Sequence, residues 1–119
     1  MILGVGTDIL KTARMEKALG IPSFSGRSFT EEEQRQAKGK VSFFAGCFTV
    51  KEAVAKCFGT GFRGFGPADI EVLRDGQGKP YVNLYGGAKR IFDEMHAVRI
   101  SVSVSDTDDT VIAFAVLEG

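Results

Sequence analysis

The chain has 119 residues, and its 15 basic and 15 acidic side chains give a formal net charge of zero. That length predicts one domain over residues 1–119 with a modest core, and the balanced charge gives no indication of a nucleic-acid partner. No apolar run approaches the roughly 20 residues of a membrane span, and the N-terminus lacks the layout of a signal peptide, so we expect a cytoplasmic protein with no membrane partner.

Residues 2–10, Ile-Leu-Gly-Val-Gly-Thr-Asp-Ile-Leu, are apolar enough to predict a central strand. Asp8 interrupts this run, although aspartate is rare in strands and unfavourable to bury alone. One interpretation is an aspartate at a strand end that faces water or caps a turn. The other is a ligand-binding role, which we favour.

Short helices follow this strand. Thr12 is placed to cap a helix that ends at Gly20, whereas residues 23–29 look irregular. Thr30 and Glu33 have the spacing of a capping box, which predicts the start of a second, polar helix.

A long helix dominates the middle of the sequence. Over residues 43–58 apolar side chains recur at helical spacing, and Gly59 stands where a left-handed cap would end the helix. The opposite face also carries small and aromatic side chains, which is typical of a buried helix. The few charges are Lys51, Glu52 and Lys56, and buried charges need a partner, a metal or a ligand.

Glu52 and Lys56 lie one turn apart on this helix. The simplest interpretation is a surface ion pair that stabilises the helix by roughly a few tenths of a kcal/mol. The small and aromatic neighbours, together with the oddly placed Asp8, favour a functional site instead.

Cys47 and Cys57 lie in the same predicted helix, too far apart to form a disulfide. We expect two reduced core thiols, and the lack of a nearby histidine argues against a metal site built on them. His96, the only histidine, follows a predicted helix, where a capping role is favoured over catalysis.

The segment from Gly59 to Gly64 satisfies G-x-G-x-x-G, the pattern of dinucleotide-binding loops. That fingerprint must follow a strand and open a helix, whereas this segment follows a helix. We therefore reject a Rossmann-type site and retain a loop whose backbone lets a phosphate-bearing ligand approach.

The second half of the sequence predicts one helix between two pairs of strands. The ranges are 70–74, 81–85, 88–95 (the helix), 99–105 and 111–117. Residues 75–78, Asp-Gly-Gln-Gly, have strong turn chemistry and predict a hairpin between the first two strands. Helices mixed with antiparallel strands indicate the α+β class.

Two blocks of the sequence resemble the signature of the holo-acyl-carrier-protein synthases, the small 4'-phosphopantetheinyl transferases. The first is Gly6-Thr7-Asp8-Ile9, and the second is residues 48–56, Phe-Thr-Val-Lys-Glu-Ala-Val-Ala-Lys, followed by Gly59-Thr60-Gly61. The likeness extends through Asp69-Ile70-Glu71-Val72, Gly78-Lys79-Pro80 and the final hairpin, and so covers nearly the whole chain. Either block alone would be a weak signal, but their pairing is specific.

The resemblance implies an α+β fold, an antiparallel sheet with a long central helix, that assembles as a homotrimer with active sites at the subunit interfaces. It implies a Mg²⁺-dependent transfer of 4'-phosphopantetheine from coenzyme A to a serine hydroxyl of an apo acyl carrier protein. Adenosine 3',5'-bisphosphate leaves, and the product supports fatty acid or polyketide biosynthesis. Phosphoryl transfer spreads negative charge over oxygen atoms, so catalysis consists mainly of positioning and charge stabilisation.

The same resemblance assigns catalytic roles to Asp8, Glu52 and Lys56. Asp8 and Glu52 match the metal ligands, and Lys56 matches the lysine that faces the phosphate and assists the leaving group. The serine proton passes either to Glu52 or to a metal-bound water. Arg14 matches a basic position that docks the carrier protein. Coenzyme A is expected to contact Phe48, Lys56, Gly59, Lys79, Pro80 and Ser105.

Two positions depart from the family pattern. Asp106 stands where the family commonly has histidine, and Cys47 where it often has arginine; the resemblance places both positions near coenzyme A. We expect Asp106 to cap the turn of residues 106–109, with Lys79 or Arg63 supplying positive charge. The departures leave open a catalytically silent trimeric relative that binds a nucleotide or a partner protein. A metal-dependent binding module of unrelated fold is a weaker alternative.

Overall fold

The computed structural model describes residues 1–119 and contains five strands and five α-helices. The strands are β1 (Ile2–Lys11), β2 (Ile70–Arg74), β3 (Pro80–Leu84), β4 (Arg99–Asp106) and β5 (Thr110–Glu118). The helices are α1 (Thr12–Leu19), α2 (Phe24–Ser28), α3 (Glu31–Ala37), α4 (Val41–Cys57) and α5 (Gly86–Glu94), with a 3₁₀ turn at Pro67–Asp69. None of the helices combines the length and the apolar character that a membrane crossing requires.

The strands form two antiparallel sheets. One sheet has three strands in the order β1-β5-β4, and the other is the predicted hairpin of β2 and β3. In the three-stranded sheet Asp8 lies opposite Ala113 on β5, and Ser105 lies opposite Ile112. The arrangement confirms the α+β class and the antiparallel sheet with a long central helix.

Helix α4 packs across one face of the three-stranded sheet, and its Val50 and Ala53 are completely buried in the core. The helix lies against the backbone of β1 because two glycines leave no side chain between them. A Cβ atom at Gly6 would come within 1.9 Å of the Ala53 carbonyl oxygen, and one at Gly4 within 2.2 Å of the Cys57 carbonyl oxygen. This close contact fixes where the residues of β1 meet the helix.

Two local expectations about the first half of the chain are wrong. Residues 23–29 contain the short helix α2, which Phe24 and Phe29 anchor through ring contacts with Phe48 at centroid distances of 6.0 and 6.3 Å. Thr12 is the first residue of α1 and makes no side-chain cap. Its backbone N–H instead donates to the Asp109 carbonyl at 2.9 Å, because β1 runs directly into the helix.

Three other predictions about the ends of helices are confirmed. The backbone N–H of Glu33 donates to Thr30 Oγ1, and the backbone N–H of Thr30 donates to the Glu33 carboxylate, which completes the capping box. Gly59 has a left-handed φ of 79° after α4, and His96 has a φ of 58° after α5. The His96 N–H donates to the Asp93 carbonyl at 3.0 Å, so this histidine ends a helix through its backbone.

The face of the three-stranded sheet that points away from α4 carries large apolar side chains in contact with solvent. Val5, Ile9, Ile112 and Phe114 retain between 45% and 66% of their accessible surface. We call this set the outer sheet face. Ile9 pairs with Ile112 across the strands, so the apolar side chains are contiguous. Contiguous exposed apolar surface of this kind marks an interaction site.

Candidate functional site

Asp8, Glu52 and Lys56 come together where β1 passes the second half of α4. Lys56 Nζ lies 3.3 Å from Asp8 Oδ1 and donates to the Thr7 carbonyl at 2.9 Å. Asp8 lies on the same face of β1 as Gly4 and Gly6, because side chains alternate along a strand. The two glycines bring the helix close, and Asp8 is the next side chain on that face.

Glu52 completes the cluster as a half-buried carboxylate. Burial raises the pKa of Glu52, the negative charge of Asp8 raises it further, and the ammonium group of Lys56 lowers it. A cation bound beside Glu52 would offset both the burial and the negative charge of Asp8, because an opposite charge favours the ionised carboxylate.

The two carboxylates of Asp8 and Glu52 suit Mg²⁺ better than they suit a metal ion such as zinc, which protein side chains coordinate almost completely. No group of three or more histidine, cysteine or acidic side chains is assembled anywhere in the chain, whereas zinc sites in proteins use three or four such ligands. Mg²⁺ is usually bound by one or two carboxylates and keeps its remaining positions for water and substrate phosphates. Asp8 and Glu52 supply that number of carboxylates.

Lys51 lies on the opposite side of α4 and is completely buried. Its ammonium group lies 2.8 Å from the Glu33 carboxylate and donates to the carbonyl oxygens of Pro67 and Ile70. Glu33 in turn accepts from the backbone N–H of Val72 at 2.8 Å. Burial lowers the pKa of Lys51, and the charge of Glu33 opposes that shift. The sequence predicted that this lysine needs a partner but not that the partner is Glu33.

Phe48 and Arg14 line one cavity of about 120 Å³ between α1, α2 and α4. Its remaining lining residues are Leu10, Met15, Ala18 and Phe24. Leu10 lies on β1 two positions beyond Asp8, so an apolar notch with a basic side chain lies near the carboxylates. Arg14 is exposed, as a docking residue requires.

The remaining expected coenzyme A contacts are not assembled within one chain. Lys79 and Pro80 line a cavity of about 260 Å³ between β3 and β4, whereas Ser105 lines shallow hollows beside the outer sheet face. Neither place includes Asp8, Glu52 or Lys56. The largest cavity, about 360 Å³ between β3, α5 and β4, contains none of the predicted site residues.

The Cys47 side chain, at a position that the resemblance places near coenzyme A, points into the core and away from solvent. Cys47 is 1% exposed, its Sγ lies 3.4 Å from the Val72 carbonyl oxygen, and burial raises its pKa to about 12. Together with Cys57, which is also a free buried thiol, it confirms the prediction of core cysteines. Its position on α4 points into the core, toward β2.

A cation that the sequence did not identify lies near this part of α4. The guanidinium of Arg74, at the end of β2, lies 5.9 Å from the centre of the Phe43 ring and donates to the Gly78 carbonyl at 3.2 Å. Its Nε is buried without a hydrogen-bond partner. Arg74 therefore places positive charge beside the turn that carries Lys79, and only its three-dimensional position reveals this.

Asp106 does not cap the turn that follows it. The strand β4 continues through Asp106, so the turn begins one residue later than expected. Asp109 organises the turn instead, because its Oδ1 accepts hydrogen bonds from the hydroxyls of Thr107 and Thr110. These bonds hold the pKa of Asp109 below its ordinary value. The Asp106 side chain is exposed, beside the outer sheet face.

Residues 4–115 match the sequence model of the 4'-phosphopantetheinyl transferase superfamily. The chain belongs to this superfamily. A holo-[acyl-carrier-protein] synthase from Lachnoclostridium phytofermentans is 46% identical over 118 residues, which cover 99% of this chain and 97% of the relative. Membership confirms the predicted enzyme family and excludes the binding module of unrelated fold.

Solved structures of other phosphopantetheinyl transferases have the same fold. A holo-[acyl-carrier-protein] synthase from Neisseria meningitidis superposes with a TM-score of 0.90 at 38% identity, over the whole of both chains. One from Bacillus anthracis, in complex with CoA (3',5'-ADP), superposes with a TM-score of 0.83 at 34% identity, over 100% of this chain and 98% of the other.

Proposed function

We propose that this phosphopantetheinyl transferase moves 4'-phosphopantetheine from coenzyme A to a serine hydroxyl of an apo acyl carrier protein, in a Mg²⁺-dependent reaction. The observation that carries the proposal is the cluster of Asp8, Glu52 and Lys56, two carboxylates and a partly exposed ammonium group beside one another. Family relatives named for that activity support it. The modified carrier protein would serve fatty acid or polyketide biosynthesis.

Asp8 and Glu52 would hold the Mg²⁺, which when bound neutralises charge on the phosphate oxygens of coenzyme A. The serine oxygen attacks the β-phosphorus, a new P–O bond forms, and the bond from that phosphorus to the bridging oxygen breaks. Adenosine 3',5'-bisphosphate leaves with the electron pair. The ammonium of Lys56 stabilises the charge on the departing phosphate. The hydroxyl proton would pass either to the Glu52 carboxylate or to water beside it.

A homotrimer would explain why the expected coenzyme A contacts are separated in one chain. The outer sheet face offers an apolar surface for association, and Ser105 borders that surface. Association there would let Lys79, Pro80 and Ser105 of one subunit face Lys56 and Gly59 of its neighbour. Coenzyme A would then bind between subunits, with Phe48 on the side of the carboxylates.

Arg14 supports a docking role toward the carrier protein. It is exposed at the edge of the apolar cavity that Phe48 also lines. Exposed basic side chains attract an acidic partner through long-range forces that salt screens. The carrier serine would approach from this side of the site, because β1 runs from Asp8 to Leu10 at the cavity.

The decisive experiment mixes the purified protein with coenzyme A and an apo acyl carrier protein and follows the mass of the carrier. We expect the mass to increase by one phosphopantetheine when Mg²⁺ is present and not when a chelator replaces it. A protein that binds coenzyme A or adenosine 3',5'-bisphosphate but transfers nothing at any Mg²⁺ concentration would instead be the catalytically silent relative. Asp106 is the departure from the family that keeps this alternative relevant.

A further inference from the structure

The loop of residues 59–66 joins the end of α4, which carries Lys56, to the 3₁₀ turn at Pro67. Gly59, Gly61 and Gly64 have φ values of 79°, 64° and 80°, and no atom lies within 4 Å of a Cβ built on any of the three. These glycines are therefore required by the backbone conformation and not by lack of space. A loop with this many left-handed residues needs contacts elsewhere to hold it in one conformation.

Aromatic rings provide one set of contacts. The Phe65 ring lies 5.9 Å from the Phe58 ring and 5.5 Å from the Phe62 ring, both in edge-on geometry. Phe58 is buried at the end of α4. The rings thus attach Phe65, near the end of the loop, to the end of the helix that carries Lys56.

The first turn of α5 provides the second contact. Gly87 is buried, and a Cβ atom built on it would lie 2.0 Å from the Gly64 carbonyl oxygen and 2.9 Å from Phe65 Cβ. Nothing in that contact is the flexible end of a side chain, because the nearest atoms are backbone and Cβ. The loop and α5 are in direct contact only because residue 87 lacks a side chain.

The C-terminal end of the loop is held by Lys51 of α4. Lys51 donates to the Pro67 carbonyl at 2.9 Å and is itself fixed by Glu33. With Phe65 and Pro67 held, a displacement of Gly64 passes to residues 59–63, of which Gly59, Thr60 and Arg63 are exposed. Those residues directly follow Lys56.

We propose that Gly87 is a positioning residue for coenzyme A: it seats the loop of residues 59–66 so that Gly59 and its neighbours stand at the right distance from Lys56. The inference rests on the proposed function, because it takes the loop to face the phosphates of coenzyme A. Gly87 acts through the loop and touches no substrate. Because the loop is proposed to contact coenzyme A and not the carrier protein, the effect of Gly87 is specific to coenzyme A.

The test is the variant Gly87→Ala in the full chain, assayed for transfer with coenzyme A and the carrier protein varied separately. Because the loop is proposed to hold the phosphates of coenzyme A, a displaced loop weakens that binding. We expect KM for coenzyme A to rise at least about tenfold, within the roughly 10²-fold that a misplacement of about 1 Å costs. KM for the carrier protein should stay within about twofold of the wild-type value, because no residue of α5 lines the cavity of Arg14 and Phe48. An unchanged KM for coenzyme A, or equal changes in both constants, overturns the proposal.

The matched control is Gly26→Ala, outside the loop. Gly26 is an exposed residue of the helix α2, and no atom lies within 4 Å of its Cβ position, so this variant should behave like the wild type. If Gly87→Ala does not fold, Phe62→Leu weakens the same anchor from the loop side, and the same pair of constants decides. If the wild type itself transfers nothing, the proposed function fails. Amide hydrogen exchange then tests whether Gly87 holds the loop in place. Faster exchange confined to residues 59–66 in Gly87→Ala supports this role, and exchange that is unchanged or faster throughout the chain overturns it.

Discussion

Lys51 and Lys56 lie on the same helix and have opposite surroundings. Lys51 is completely buried, and its ammonium group donates hydrogen bonds to Glu33 and to the backbone carbonyls of Pro67 and Ile70. Lys56 has a side chain that is 54% exposed and a longer, 3.3 Å contact with Asp8. A fully satisfied buried charge holds elements together, whereas a partly satisfied charge beside two carboxylates is available to a ligand. The difference separates a structural ion pair from one that is available to a ligand, without reference to relatives.

The difference between Lys51 and Lys56 predicts its largest effect on the stability of the fold. Lys51→Met leaves the Glu33 carboxylate buried without its cation, and removing one partner of a buried pair typically destabilises a protein by about 3–5 kcal/mol. That is a large part of a total stability of about 5–15 kcal/mol. Urea unfolding measures the change, with Lys56→Met as the same substitution on the same helix. Equal stability of the two variants would contradict the assignment of Lys51 to the core.

The two carboxylates beside Lys56 should behave in the opposite way. Asp8→Asn and Glu52→Gln each remove a proposed ligand of Mg²⁺, so we expect transfer to fall below detection while the fold is retained. A Mg²⁺ titration followed by calorimetry should show lost or weakened binding in both. Asp93→Asn, which changes an exposed carboxylate on α5, is the control and should be fully active. Near-normal turnover in either cluster variant would disprove the metal assignment.

Lys56→Ala should have a smaller and purely kinetic effect. Loss of one preorganised charge contact with a transition state lowers kcat on the order of 10²–10³-fold, and Mg²⁺ binding should remain because both carboxylates are intact. The matched control is Lys89→Ala, since Lys89 also forms an ion pair, with Asp93 at 2.7 Å, away from the cluster. Comparable losses of activity in the two variants would show that the assay responds to ion pairs in general.

The smallest effect concerns the pKa of Glu52. Because its pKa is raised in the folded chain, the folded state binds the proton more tightly than the unfolded state, and stability decreases as pH rises through the interval between the two pKa values. Without Mg²⁺, Glu52→Gln should therefore raise Tm at pH 7 and not at a pH below the ordinary value of about 4.3. We expect a shift smaller than about 4 °C, roughly the lower bound for a change of 1 kcal/mol in a small domain. Calorimetry at both pH values checks it, and an equal Tm difference at both would rule out titration of Glu52.

Local patterns in the sequence predicted most of the elements. The periodicity of α4, the capping box of Thr30 and Glu33, and the hairpin turn after β2 depend on residues close in sequence, and all three are confirmed. The helix α2 was not predicted, because its five residues are stabilised by distant aromatic contacts with Phe48 and not by a periodic pattern.

The site was predicted less completely than the fold, for the same reason. The proximity of Asp8 and Lys56 depends on two glycines that let a helix touch a strand, and the sequence shows the glycines but not that contact. The pairing of Lys51 with Glu33 and the position of Arg74 beside Phe43 join residues that no spacing relates. Asp106 and Asp109 both suit a turn by composition, and only the length of β4 decides between them.

The pairing of β1 with β5 sets the order in which this protein can fold. The hydrogen bond from Thr7 to the Ala113 carbonyl joins positions 106 residues apart, whereas the β2–β3 hairpin closes over a short turn. Contacts between distant segments form late, since loop closure opposes them until other contacts compensate. During synthesis β1 has an unpaired edge while the hairpin and the helices form. Asp8 acquires its final position only after β5 has been synthesised and pairs with β1. The proposed metal site is thus among the last features of the molecule to form.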